Sequence, residues 1–415
     1  MPSLLTFMAA KIDIHNYDGQ LERTFRHLEQ SSLSRRNIDF IRKYAEHLLL
    51  NNIGKARVLK YVSTLKLIAE QLQRDFDAAT ADDFKQFLLR IHNRKDYSIW
   101  TKFDYNVTIK KFYKWLEGKN QFYPEKVAWI KTTVKKKDKP RIKKAELLSE
   151  EEVHKLLEAA PHAREKALIA LLWDTGARIG EIGGMTLKHV SFEDNATYVD
   201  LVGKTGSRTC MSIEATPFLV RWLDAHPLKD KPNAPLWLGR EGEPLGYAAL
   251  AKVIRRVFER AEIKKHFNPH LFRHSRATWC AEQGWSTYEM CKHFGWELDS
   301  GMPAVYISLV DKDVHNKMRE SYGIQTDRAE KIEARKPQNC PRCTIMNEAK
   351  AQFCYKCGMA LDTRAMLKLE QKRSAADTLM LKLLAHPDLK TAIVKKLKET
   401  KLDQELKRIL GGEEA

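Results

Sequence analysis

Residues 167–187 read ALIALLWDTGARIGEIGGMTL: an apolar helix that halts at a glycine-bearing turn, Thr175-Gly176, and restarts as a short helix beyond Arg178. A glycine at the end of a helix admits the left-handed backbone that closes it, so the break is written into the chain. Further on, residues 196–214, ATYVDLVGKTGSRTCMSIE, switch to strand composition around a tight Gly-Lys-Thr-Gly turn and read as two strands. Helical patterning resumes from about Tyr247 to Gly323. These segments together predict a mostly α fold with a small β-sheet, in which short turns carry basic side chains.

Working toward the N-terminus, residues 34–117 read as four amphipathic helices with short connections, a small helical bundle. Ile38, Ile41, Ala45, Leu48 and Leu49 share the first face, behind Ser34 as N-cap. Val58, Val62, Leu65, Ala69 and Leu72 make the second stripe; Phe84, Phe87, Leu88 and Ile91 follow Thr80; Tyr105, Ile109, Phe112 and Leu116 make the last. Between the stripes lie Lys55, Arg57, Lys60, Lys66, Lys102, Lys110 and Lys111, either phosphate contacts or solvated faces. Lys131 to Lys144 holds eight basic residues against one Asp, an exposed linker able to follow a duplex backbone or to serve as a spacer. Ser149 with Glu152 three residues later forms a capping-box pattern that opens the next domain. The expected division is a helical domain at 15–130, a basic linker at 131–147, a second domain at 148–325, a cysteine ribbon at 336–362 and a helical tail at 363–411. In the tail, leucines at helical spacing are interrupted by His386-Pro387-Asp388, as in two amphipathic helices.

Across the 415 residues, Lys and Arg total 72 against 54 acidic residues, a formal charge of +18, which favours a polyanionic partner. With 43% hydrophobic residues, most of the chain is expected to be globular. No apolar run reaches the roughly 18 residues of a spanning helix. The opening MPSLLTFMAAKIDIHNYDG lacks a basic stretch before its short apolar segment and makes a poor secretory signal. The expectation is a cytoplasmic, nucleoid-associated protein without membrane contact. Cys210, Cys280 and Cys291 are scattered, as small core residues are. Cys340, Cys343, Cys354 and Cys357 form two CxxC knuckles, and four thiolates suit a closed, structural, tetrahedral Zn²⁺. Such a ribbon draws its folding energy from the metal. Its basic neighbours Arg342, Lys350 and Lys356 suit DNA, while a protein–protein role fits as well.

Five short segments place cationic and hydrogen-bonding groups beside turns: Thr175-Gly176-Ala177-Arg178, Val202-Gly203-Lys204-Thr205-Gly206, His270-Leu271-Phe272-Arg273-His274, Phe294-Gly295-Trp296 and Met302-Pro303-Ala304-Val305-Tyr306. Singly, Arg178 is an ordinary helix-start arginine, Lys204 a hairpin-tip lysine and Tyr306 a core tyrosine. In this order together they resemble the tyrosine recombinase (phage integrase) family, whose signature runs Arg, hairpin Lys, His-x-x-Arg, His or Trp, then Tyr. The resemblance spans about residues 150–322, and the helical segment before it looks like the family's core-binding domain. The last block, Gly-Trp-Glu-Leu-Asp-Ser-Gly-Met-Pro-Ala-Val-Tyr, is most similar to the archaeal branch. It departs from the commoner bacterial pattern in having Trp for His and a slightly longer Trp-to-Tyr spacing.

The resemblance implies site-specific DNA recombination by strand cleavage and rejoining through a covalent 3′-phosphotyrosine, without ATP or a catalytic metal, and assembly of four protomers on double-stranded DNA. Its physical logic is direct. A phosphodiester attacked in line gains charge on its non-bridging oxygens, and fixed donors there speed the reaction. Arg178 and Arg273 supply planar, permanently charged forks for those oxygens. His270, three residues before Arg273, either donates to the phosphate or assists proton transfer from the tyrosine. Tyr306 is the expected nucleophile; a phenol of pKa about 10 needs nearby Arg and His to favour its phenolate. Lys204 is the expected general acid for the departing 5′ oxygen. Trp296 packs and donates one hydrogen bond, having no acceptor nitrogen with which to shuttle a proton. Glu181 either orients Arg178 or lies on the surface, His274 is read as structural, and Tyr322 is the rival nucleophile. These blocks hold no carboxylate cluster of the kind that binds paired Mg²⁺. The rival readings are type IB topoisomerase-like relaxation and a non-catalytic zinc-ribbon DNA-binding regulator.

Overall fold

The structure is a computed structural model that describes residues 12–135, 138, 142–193, 196–203, 206–309, 318–319, 322, 337–386, 392, 395–396 and 400. Its described residues fall into two compact units, one made from 1–191, 198–210 and 225–311 and the other from 192–197, 211–224 and 312–415.

The first unit opens with a helical bundle: α1 (Tyr17–Glu29), α2 (Arg35–Leu50), α3 (Lys55–Leu72), α4 (Ala81–Asn93), α5 (Ile99–Leu116) and the one-turn α6 (Glu125–Ala128). Ser34, Thr80 and Ser98 each accept a hydrogen bond from the backbone N–H three residues on, satisfying a donor that the helix start leaves open. The predicted stripes meet in one apolar core in which Phe76, Phe84, Phe87 and Phe112 are fully buried, except that Leu49, expected on the first face, is exposed at the end of α2. Phe112 lies edge-on to Tyr44 at 5.3 Å and to Phe76 at 4.8 Å between ring centroids. The Tyr113 hydroxyl donates to the Phe76 carbonyl at 2.6 Å, so even the polar tip of that core is satisfied. Helix α1 extends the expected four-helix reading: it buries just Leu21 and Leu28, too thin a stripe to show in the sequence.

The same unit continues with α7 (Glu150–Ala159), α8 (Ala163–Thr175), α9 (Ile179–Gly183), α11 (Tyr247–Arg260), α12 (Leu271–Glu282), α13 (Thr287–Phe294) and α14 (Met302–Ile307). Ser149 and Glu152 form the capping box of α7. Helix α8 is buried from Ala167 through Thr175 on every side, as its unbroken apolar run from Ala167 to Trp173 requires. Helix α12 packs on α8 and on α14. Between α12 and α8 the Arg276 guanidinium bonds Asp174 at 2.7 Å and lies over the rings of Trp173 and Trp279 at 5.5 and 3.9 Å. A buried charge is tolerable when paired in this way.

Strands β1 (Val190–Glu193), β2 (Ala196–Gly203) and β3 (Gly206–Ser212) form one sheet in the order β1-β2-β3, one strand more than the two expected. Helix α10 (Thr216–Asp224) was also absent from the sequence reading. In the second unit, the paired strands β4 (Gln338–Asn339) and β5 (Met346–Asn347) are antiparallel, with Gln338 opposite Asn347 and Asn339 opposite Met346. The Arg221 guanidinium of α10 lies 4.3 Å from the centre of the Tyr355 ring in the cysteine ribbon. Helix α15 (Thr363–Ala385) covers the first part of the expected tail, and most of the remainder lies outside the described residues. Among the described residues, no helix is long and apolar enough to cross a membrane.

Phe112 tests the bundle core. Phe112→Ala is expected to cost about 3–5 kcal/mol through the cavity it leaves, read as a lower urea midpoint for loss of far-ultraviolet circular dichroism.

Candidate active site

Helix α8 ends at Gly176 with φ 55°, a left-handed conformation in which a Cβ would come within 2.5 Å of the Phe294 ring. Glycine is therefore needed both for the backbone angle and for the close approach. The turn presents Arg178 as the N-cap of α9, where its backbone N–H donates to Glu181 Oε2 at 2.9 Å and its Nη1 to Glu181 Oε1 at 2.7 Å. The Arg178 side chain remains one-third exposed, whereas that of Glu181 is 2% exposed.

Glu181 also receives a fork from Arg208 on β3, at 3.2 and 3.0 Å, and Arg208 Nε donates to the His293 carbonyl at 2.9 Å. Burial alone would raise the pKa of Glu181. The hydrogen bonds and charge of Arg208, then the bonds from Arg178, outweigh it and hold the carboxyl at about 2. Gly203, at the end of β2, lies against the same carboxylate: a Cβ there would fall 2.5 Å from Oε1. Glu181 thus ties the arginine turn, the hairpin and the end of α13 together. Lys204 itself lies outside the described residues.

From α12, Arg273 donates through Nη1 to the Gly176 carbonyl at 3.1 Å and through Nη2 to the Phe294 carbonyl at 2.6 Å. It lies 5.2 Å from the ring centres of both Phe294 and Trp296 and is 4% exposed. Burial first, then repulsion from Arg178, lower its pKa to about 10, so it stays charged at neutral pH. His270 sits exposed at the start of α12. The packing around its ring, then Arg273 and Arg178, lower its pKa, which favours the neutral imidazole.

Tyr306 comes from α14 and is fully buried among Ala277, Cys280, Ala281, Met290 and Phe294. Trp296 stacks on it at 5.5 Å with 4° between the ring planes. The Tyr306 hydroxyl lies 2.7 Å from His274 Nδ1. Here the structure departs from the expected phenolate: burial raises the Tyr306 pKa, Arg273 lowers it less, and the result is about 12. The tyrosine is a neutral phenol in this conformation.

The first unit therefore gathers Arg178, His270, Arg273, Trp296 and Tyr306 at one place, where α9, α12, α13 and α14 meet. Arg273 links the group: it bonds the Gly176 carbonyl in the turn before Arg178 and lies 5.2 Å from the centre of the Trp296 ring that stacks on Tyr306. Two residues in the group were not picked out from the sequence. Arg208 carries no local signal, since a strand arginine after a turn is ordinary. His274, read as structural, contacts the tyrosine oxygen; its place one helical turn after His270 was the available clue. Tyr322 belongs to the other unit and is 77% exposed. In that unit, Sγ atoms of Cys340, Cys343, Cys354 and Cys357 all lie within 4.8 Å of one another, with 3.5 Å for the Cys340–Cys357 and Cys343–Cys354 pairs.

Residues 146–312 match the model of the phage integrase family. Transposase A from transposon Tn554 of Staphylococcus aureus is 26% identical over 199 residues, 44% of this chain and 54% of that protein. The chain thus spans about half the length of these first curated relatives. Tyrosine recombinase XerA of Saccharolobus solfataricus is 23% identical over 285 residues, 67% of this chain and 91% of that protein. Among solved structures, the XerH site-specific recombinase in a post-cleavage complex on a palindromic difH substrate aligns with a TM-score of 0.53 at 18% identity, covering 75% of this chain and 97% of that one. A lambda integrase dimer bound to a COC′ core site aligns with a TM-score of 0.52 at 16% identity, covering 65% and 76%. At these identities the structures speak for the fold.

The depressed pKa of Glu181 makes its contribution to stability pH-dependent. It is fully present above the ordinary carboxyl value of 4.5 and is lost as pH falls toward about 2. Glu181→Gln is expected to lose about 3 kcal/mol at pH 7, with the gap to the wild type closing over that acid window in urea unfolding at stepped pH.

Proposed function

We propose that this chain, which belongs to the phage integrase family through residues 146–312, is a site-specific DNA recombinase that cuts and rejoins strands through a 3′-phosphotyrosine at Tyr306. The observation that carries the reading is the convergence of two guanidiniums, Arg178 and Arg273, with the Tyr306 phenol at one place on the fold. The names of the relatives, recombinases and a transposase, favour recombination over relaxation or simple regulation.

In this scheme the scissile phosphate sits over Arg178 and His270, at the open side of the group. Arg178 is aimed by the Glu181 carboxylate, and Arg273 is aimed by the Gly176 and Phe294 carbonyls, so neither has to reorganise when charge builds on the phosphate. The Tyr306 oxygen forms the bond to phosphorus, and the 5′ oxygen departs with its electron pair. Lys204, next to the Gly203 that packs on Glu181, protonates that oxygen. Trp296 holds the tyrosine ring by stacking. Rejoining reverses these steps, because the phosphotyrosine retains the energy of the broken bond. No step calls for a metal.

Double-stranded DNA is the partner that the +18 charge and the DNA complexes among the similar folds support. On this reading residues 15–130 clamp the duplex, the basic stretch 131–147 follows its backbone, and residues 148–325 carry the chemistry. Four protomers assemble on two duplexes, in the cytoplasm at the nucleoid. The ribbon at 336–362 holds a structural Zn²⁺ through Cys340, Cys343, Cys354 and Cys357. Thiolates about 2.3 Å from a tetrahedral centre stand about 3.8 Å apart, which the sulfur spacing fits. The metal would supply folding energy for the ribbon. The ribbon and the tail at 363–411 either touch DNA or join protomers.

A nicked suicide duplex tests the chemistry. The wild type is expected to form a covalent protein–DNA adduct on a site selected from a randomised duplex pool, and Tyr306→Phe to form none. An adduct that persists in Tyr306→Phe but vanishes in Tyr322→Phe would overturn the assignment. Elemental analysis of gently purified protein is expected to give about one zinc per chain, and less than about half an equivalent would count against the ribbon site.

A further inference from the structure

We infer that His274 is a further catalytic residue, whose Nδ1, 2.7 Å from the Tyr306 hydroxyl, takes the phenolic proton as that oxygen attacks phosphorus. The inference rests on the proposed recombinase reading and assigns the proton step that the family-style signature leaves open between His270 and other groups. His270 and His274 lie one turn apart on α12, with ring centres 6.1 Å apart. Of the two, His274 is the one hydrogen-bonded to the tyrosine oxygen, and His270, exposed at the start of the helix, is left for the phosphate.

The protonation states agree with this role. A buried phenol keeps its proton, so Tyr306 donates, Nδ1 accepts, and the remaining ring proton sits on Nε2. Burial, then His270 and Arg273, hold the His274 pKa at about 4, so it is a neutral acceptor throughout the physiological range. The groups facing it are Tyr306 from α14 and His270 and Arg273 from its own helix. On the other helices packed against α12, Asp174 of α8 bonds Arg276, and His293 of α13 faces that same pair. A phosphate bound between Arg273 and His270 offsets the cations that oppose a proton on His274, so the base strengthens when substrate arrives. The balance is complete. The Tyr306 O–H bond breaks with its proton passing to Nδ1, and the oxygen pair forms the O–P bond. The P–O5′ bond then breaks, and the 5′ oxygen takes its proton from Lys204.

The test uses the full-length protein and the nicked duplex selected with the wild type. His274→Gln keeps an acceptor for a hydrogen bond but cannot take a proton. It is expected to form adduct about 100-fold more slowly, within the range of general-base catalysis, with duplex affinity in gel shifts unchanged. Its rate should keep climbing with pH into the alkaline range, where the wild type has levelled off. His274→Ala should be slow as well and should regain rate when imidazole is added. A slow His274→Gln with the wild-type pH profile, and a His274→Ala indifferent to imidazole, would mean a merely structural contact and overturn the inference. A His274→Gln faster than wild type would also overturn it, by showing that the bond restrains the tyrosine. Should the wild type itself form no adduct, the recombinase reading falls first and this one with it.

Discussion

A single carboxylate, Glu181, is removed from water at the centre of the site, and its neighbours exist in their present arrangement because of it. An ion in that position is costly unless opposite charge and hydrogen bonds surround it. Arg208 meets it with a two-pronged fork and Arg178 with a third guanidinium bond and a backbone N–H. The arrangement fixes three things at once: the turn that presents Arg178, the strand pair β2 and β3, and, through the His293 carbonyl, the end of α13. The position of Gly203 follows, since any side chain there would collide with the carboxylate.

A second constraint acts on the other arginine. Arg273 is nearly without solvent, so it needs fixed acceptors, and it finds them in two carbonyls at helix ends, Gly176 and Phe294. Both ends are closed by left-handed glycines, Gly176 and Gly295. The two glycines bring the ends of α8 and α13 close enough for one guanidinium to span them. The aromatic pair Phe294 and Trp296 then covers its face, and Trp296 passes the stacking on to Tyr306. Charge, turn and aromatic ladder form one continuous structure that joins segments far apart in the chain.

The same burial that orders the site sets its chemistry. Removing water strengthens the arginine contacts but disfavours the phenolate, and for Tyr306 the loss of solvent outweighs the pull of Arg273. Tyr306 is therefore a neutral phenol, with its hydroxyl against an imidazole that burial first, and then His270 and Arg273, keep neutral.

Much of this was legible in the amino-acid order. The helix stripes of the bundle, the Ser34, Thr80 and Ser149 caps, the glycine stop after α8 and the paired CxxC knuckles all rest on local rules of spacing and backbone angle, so the sequence determined them by itself. It also marked Arg178, His270, Arg273, Trp296 and Tyr306, through the order in which they follow one another and the family that order resembles, since each alone reads as ordinary. Helix α1, strand β1 and helix α10 were hidden: a thin apolar stripe or a four-residue strand carries too little pattern to read. The partnership of Arg208 with Glu181, the contact of His274 with Tyr306 and the protonation of the phenol were decided by tertiary structure alone. Each depends on burial and on charges brought together from distant segments, and neither solvent exclusion nor a long-range neighbour is encoded in local spacing.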